Sequence, residues 1–219
     1  MNINENILLV EGESDKSFFE QLCKKFDLKT AVKVAHPREL AGTHNSKQGV
    51  LNHLPLLLEQ LADGRIKHLA IVVDADMKNH GGGYIATIDR IKAIVDPYGF
   101  KVIPNSQNGV VFRHNDGLED LGVWIMPNNA DDGMLEDWFK QCVIADELNL
   151  LTHANVTLTG LPMPVKFAQH HHSKAQVATW LAWQKNPGHG MYRAVEENLL
   201  DANNASFKCF ESWIKVMYT

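Results

Sequence analysis

Two apolar runs that end abruptly in carboxylates constrain this chain more than any other feature. They are Ile7-Leu8-Leu9-Val10, followed by Glu11-Gly12-Glu13-Ser14-Asp15, and Leu69-Ala70-Ile71-Val72-Val73, followed by Asp74-Ala75-Asp76. Four or five consecutive apolar residues suit a strand buried on both faces, as in a parallel sheet flanked by helices. Acids just past such strands stand at the carboxyl ends, where open α/β sheets bind ligands. Two such clusters crowd like charges into one crevice, which is costly unless a cation shares it. The first expectation is a carboxylate-lined divalent-metal site.

The 219 residues suffice for one large domain or a core with an elaboration. A formal charge of −5 makes no global electrostatic case for nucleic-acid binding, though it leaves room for a local basic groove. Cys23, Cys142 and Cys209 are odd in number, widely spaced and without a CxxC pair. That argues against a disulfide framework or a cysteine-bound zinc and suits a reducing compartment. Residues 1–6 carry no basic n-region and no long apolar segment follows, so a cytoplasmic protein without a membrane span is expected.

Patterning predicts strands over 5–11, 31–35, 67–74, 100–103, 109–112 and 121–126. Helices are expected from Ser14, as N-cap, to about Phe26, then over 50–61 and 84–95. This alternation predicts an α/β fold, a mostly parallel sheet with crossover helices. Further helices are expected over 135–151, 174–184, 192–200 and 206–217, with 152–170 less regular because Pro162 and Pro164 interrupt it. The expected organisation is an α/β core over 1–150 and an α-rich extension over 151–219, packed on the core.

Glu11 and Asp15 are four residues apart across a strand-to-helix junction, so both can face the crevice. Asp74 and Asp76 alternate along an extended segment, and a bend after the strand lets both reach one ion. Hard cations such as Mg²⁺ take oxygen ligands and keep positions for water and substrate phosphate. Two such ions about 3.5–4 Å apart would stabilise the attacking and leaving oxygens of a phosphodiester cleavage.

With Glu11-Gly12 after the first strand and Asp74-Ala75-Asp76 after a later one, the chain resembles the Toprim superfamily. The Glu11-to-Asp15 step resembles its OLD (overcoming lysogenisation defect) branch, as does Gly133-Met134-Leu135-Glu136-Asp137-Trp138 and, late in the chain, Ser173-Lys174-Ala175. The chain is most similar to small standalone OLD-like Toprim proteins. The resemblance implies a Toprim-like core and a Mg²⁺- or Mn²⁺-dependent nuclease acting on nucleic acid, DNA or RNA, in phage defence or repair. It implies that Glu11, Asp74 and Asp76 bind one metal, that Asp15 and Glu136 serve a second, and that Lys174 stabilises charge on the phosphate. OLD proteins usually carry an ATPase domain in the same chain. No Walker A pattern is present here, so an ATPase would be a separate subunit. A homo-oligomer is compatible with this reading. The alternatives are a non-catalytic Toprim-like regulatory module that binds metal or nucleic acid, and a nucleotidyl transferase.

Each candidate has a plainer account. Asp15 serves equally well as a first-turn acid on a helix, and so do Glu136 and Asp137. Asp137 also points about 100° away from Glu136 on a helix. Lys174 fits solvated surface. The run His80-Gly81-Gly82-Gly83 could cradle a substrate phosphate at the helix starting near Tyr84, with Lys78 alongside, or be a flexible connector. His170-His171-His172 reads as a surface loop, since adjacent residues seldom ligate one ion. His189 between two glycines reads as a turn. Trp138, Trp180, Trp183 and Trp213 read as core.

Overall fold

The computed structural model describes residues 5–35, 46–103 and 109–218. Part of the N-terminal reading, residues 1–4, lies outside them. In chain order the elements are β1 (Glu5–Val10), α1 (Glu13–Lys25), β2 (Ala31–Val34), α2 (Lys47–Ala62), β3 (Ile66–Asp74), α3 (Tyr84–Val95), β4 (Phe100–Val102), β5 (Val110–His114) and β6 (Leu121–Met126). They continue as α4 (Leu135–Gln141), α5 (Leu148–Thr159), α6 (His172–Ala182), α7 (Tyr192–Glu196) and α8 (Ala205–Met217).

The described strands form a six-stranded sheet in the order β2-β1-β3-β6-β5-β4. β2, β1, β3 and β6 are mutually parallel, and β5 and β4 close the far edge antiparallel. The fold is therefore α/β, with a mostly parallel sheet flanked by helices and an α-rich C-terminal region. The apolar runs are buried on both faces, as continuous patterning requires. Ile7, Leu9, Ile71, Val73, Val123 and Ile125 face α2 and α3. Leu8, Val10, Ala70, Val72, Trp124 and Met126 face a layer built from α1 and α4 to α8.

That second layer is where the C-terminal third sits. Phe207, Phe210, Trp213, Ile214 and Met217 form one buried stripe of α8, and each large side chain so buried contributes about 1.5–3 kcal/mol. Phe207 stacks on Trp138, and Phe210 packs edge-on against Trp124. At Gly122 a Cβ would lie 2.7 Å from Met217 Cγ, so the bare backbone is what lets α8 lie on the sheet. The Tyr218 hydroxyl donates to the Ile7 carbonyl at 2.8 Å, closing the last helix onto the first strand.

Three expectations are corrected. The helix expected over 135–151 is two helices, and α5 runs on through Thr159 into the stretch read as irregular. Backbone pairing of Val143 with Leu200, and of Ile144 N–H with Leu199 C=O, breaks it. The expected boundary at 150/151 falls inside α5. Lastly, α1 starts one residue before Ser14, with Gly12 as its N-cap.

Candidate functional site

Because β1 and β3 are adjacent and parallel, Glu11 and Asp74 emerge side by side at their carboxyl ends. The Asp74 N–H donates to Glu11 Oε1 at 2.8 Å. Asp74 Oδ1 in turn accepts the N–H of Leu135, the first residue of α4, at 2.8 Å. That bond seats the start of α4 on the end of β3. Asp15, on the first turn of α1, accepts the N–H of the N-cap residue Gly12 at 3.1 Å. Glu136, on the first turn of α4, is only 7% exposed. Lys174 reaches it from α6, its Nζ 3.1 and 3.2 Å from the two carboxylate oxygens.

The chain turns sharply after β3. Asp76 has φ +62°, a left-handed conformation that Asp tolerates better than most residues. Two backbone hydrogen bonds with Gly133 hold it there, at 2.7 and 3.1 Å. Its carboxylate pairs with Lys47 at 2.6 Å. Lys47 also donates to the carbonyls of Asp74 and Ala75, at 2.9 and 3.1 Å, and to Thr87 Oγ1 at 3.3 Å.

The glycine loop is explained by packing. A Cβ on Gly82 would lie 2.6 Å from Asp76 Cβ and 2.8 Å from the Ala75 carbonyl. Buried Gly83 donates to that carbonyl at 2.8 Å. Asp132 accepts the Tyr84 N–H at 3.0 Å and the Lys78 N–H at 3.3 Å, so a carboxylate of the chain itself already holds the amides expected to cradle a phosphate. The Lys78 side chain is exposed. Asp137 caps its own helix through the Met134 N–H at 3.0 Å and accepts the Ser173 hydroxyl at 2.6 Å.

The acids act on one another. Burial raises Glu11 to about 7, with help from Asp15 and Asp76, against the lowering effects of the Asp74 N–H and Lys47. Burial raises Asp15 to about 6; Lys174 opposes the rise and Glu136 adds to it. Asp74 is pushed well above the carboxylate range by burial, then by Glu11, Glu136 and Asp15. Burial pulls the Lys174 ammonium down, but Glu136, Asp74 and Asp15 outweigh it and the pKa ends up raised. Glu11, Asp15, Asp74, Glu136 and Lys174 thus form one electrostatic cluster assembled from distant parts of the chain.

Among the described residues, no three His, Cys, Asp or Glu side chains stand as a ready-made metal-holding group. The donor chemistry nevertheless fits a hard cation. The donors are carboxylate oxygens; burial first, and then neighbouring carboxylates, raise the pKa of three of them, and a divalent ion would offset both effects.

The family model described as protein of unknown function (DUF3226) matches residues 5–219. The chain belongs to the DUF3226 family. No curated protein and no solved structure matched it.

In this DUF3226 chain a cleft of about 320 Å³ is lined by Lys47, Asp76, His80, Arg90, His170 and Lys174 among others. Of these, Lys47, Arg90, His80 and His170 were not among the expected site residues. The rings of His80 and His170 lie 4.5 Å apart across the cleft, while His172 bonds Asn155 at 2.7 Å, so the three histidines do not converge. Lys47 had one readable signal: it is a cation at the first position of a helix, where the dipole disfavours it. Arg90 had none, whereas His80 opened the glycine run and His170 the histidine run, which was read as a surface loop. A larger cleft of about 580 Å³, between α3, β5 and α8, is lined by no member of the cluster, whereas Lys174 of the cluster lines the smaller one. No described helix is long and apolar enough to cross a membrane.

Proposed function

We propose that this chain is a Mg²⁺- or Mn²⁺-dependent phosphodiester-processing enzyme, a nuclease of the Toprim/OLD-like type acting on DNA or RNA. One observation carries the reading. Four carboxylates and one ammonium from β1, α1, β3, α4 and α6 meet at the carboxyl end of a parallel sheet, with three of the acids held above their ordinary pKa. A fold that spends burial on like charges gains little stability from them. A bound divalent ion makes the arrangement favourable.

Glu11, Asp15, Asp74 and Glu136 would hold the ion. Asp76, which the resemblance also assigns to metal, is bonded to Lys47. When bound, the ion would polarise the phosphate and lower the pKa of water. Lys174, half-exposed between Glu136 and the cleft, would sit against a phosphate oxygen and stabilise the charge growing there. Arg90 and Lys174 add positive charge to the cleft walls, while the charge of Lys47 is paired with Asp76, on a chain of net charge −5.

The test is cleavage of mixed DNA and RNA substrates with Mg²⁺ or Mn²⁺, run beside Asp74→Asn. Cleavage by the wild type alone supports the reading. Equal cleavage by both proteins would remove Asp74 from the site. The second reading, a non-catalytic regulatory module, draws on the lack of a ready-made metal group among the described residues and on the two lysines already paired with Asp76 and Glu136. It predicts nucleic-acid binding with no product under any divalent ion. Nucleotidyl transfer would instead require nucleoside triphosphates and lengthen a strand. A separate ATPase subunit, a homo-oligomer and a role in phage defence or repair belong to the same proposal.

A further inference from the structure

Lys47 is coordinated as a metal ion would be. Its ammonium lies within 3.3 Å of four oxygens: Asp76 Oδ2, the carbonyls of Asp74 and Ala75, and Thr87 Oγ1. One carboxylate, two carbonyls and a hydroxyl form the donor set of a hard cation. The ammonium has three protons, so this shell satisfies it fully. Its side chain is 11% exposed, and the helix dipole at the start of α2 works against it. Neither solvation nor helix formation explains the placement. What it does hold is the turn after β3, where Asp76 sits at φ +62° and Asp74 turns its carboxylate to Leu135 and its N–H to Glu11.

We propose that Lys47 is a built-in cation of this site, holding Asp76 and the Asp74 and Ala75 carbonyls where a second metal ion would otherwise sit, so that the remaining carboxylates take one divalent ion. The inference rests on the metal-binding half of the reading above. Lys47 is a positioning residue: it acts through the turn that carries Asp74. Asp76 then serves Lys47 and is not a ligand of the ion.

The test is the count of ions bound by the full chain, by titration with Mn²⁺ in chelator-treated buffer and the electron paramagnetic resonance signal of free Mn²⁺. One ion is expected for wild type and for Lys47→Arg, and two for Lys47→Met, whose four oxygens lose their cation. Asp76→Asn should keep one ion, whereas Asp74→Asn should lose it. Two ions on wild type would overturn the inference and leave the metal reading standing; none would overturn both. One ion on a Lys47→Met protein with wild-type circular dichroism would also overturn it. If Lys47→Met fails to fold, the wild-type, Lys47→Arg and Asp76→Asn counts still decide the matter.

Discussion

Glu11 and Asp74, on neighbouring parallel strands, are tied by a single hydrogen bond from the Asp74 N–H to Glu11 Oε1, at 2.8 Å. The bond aligns the two strand ends and also brings two half-buried acids together. Burial raises both; Glu11 then raises Asp74 further, while Asp15 and Asp76 raise Glu11 and the Asp74 N–H lowers it. This pairing is useful only if something positive arrives, and the first two predictions follow from it.

Asp74→Asn keeps an oxygen to accept the Leu135 N–H and removes a half-buried acid facing Glu11, Asp15 and Glu136. Without metal, its Tm at pH 7.5 should equal or exceed that of the wild type. Cleavage should fall about 100-fold or more, since even residues that merely support metal ligands cost 10- to 100-fold. Thermal melts in EDTA and a cleavage assay measure the two effects. A large drop in Tm would show that the Asp74 charge has a partner in the metal-free state.

The raised acids set a pH dependence of defined sign. An acid whose folded pKa lies above its unfolded value binds more protons when folded, so stability falls as pH rises between the two values. For Glu11 that window runs from 4.5 to about 7, and for Asp15 from 3.8 to about 6. Metal-free wild type should therefore lose stability relative to Glu11→Gln as pH climbs from about 4 to about 7. Mn²⁺ should restore it most at the upper end. Melts of both proteins across this range test the sign, and parallel curves would mean that Glu11 is not shifted.

Gly82→Ala places a Cβ against the Asp76 side chain and the Ala75 carbonyl, and the carbonyl cannot rotate away. The loop must move, at a cost of about 1–3 kcal/mol as for other overpacked sites. Because the displaced atoms belong to the turn held by Lys47, cleavage should fall as well. Urea denaturation and the cleavage assay report the two effects.

The two acid-bearing strands were legible because burial on both faces leaves a continuous apolar signature, and Glu11 and Asp74 end those runs. Tyr84–Val95 was equally legible, with its glycines before and its proline after. The break between α4 and α5 was not. Its apolar spacing runs on through Cys142 and Val143, and what interrupts it is pairing with Leu199 and Leu200, far along the chain. Glu136 and Lys174 could be named only by resemblance; their pairing depends on how α6 docks against α4. Asp132 shows the limit from the other side. The glycines before α3 advertise a phosphate cradle, but a carboxylate from the loop after β6 fills the place, and nothing local announces it.

Lys174 and Glu136 allow the cluster to be tested as a unit. Glu136 is nearly buried, and its carboxylate faces Lys174 on one side and the charges of Asp74 and Asp15 on the other. Lys174→Met strips the only ammonium bonded to Glu136 among the described residues. The pair is half-exposed on the lysine side, so the loss at pH 7.5 should be on the order of 1 kcal/mol, between the exposed and buried limits. Glu136→Gln alone should be neutral or stabilising, because Asp15 and Asp74 lose a like-charged neighbour. Combined with Lys174→Met it should recover most of that variant's loss, a coupling that a double-mutant cycle measures directly. Cleavage should stay low in all three variants, since each lacks the Lys174 ammonium that meets the phosphate, the Glu136 carboxylate that holds the ion, or both. Mn²⁺ should raise the Tm of Lys174→Met by more than it raises wild type, because the ion then replaces the missing positive charge. Additive stabilities in the cycle would show that Lys174 and Glu136 are neighbours without being partners, and would take Lys174 out of the site.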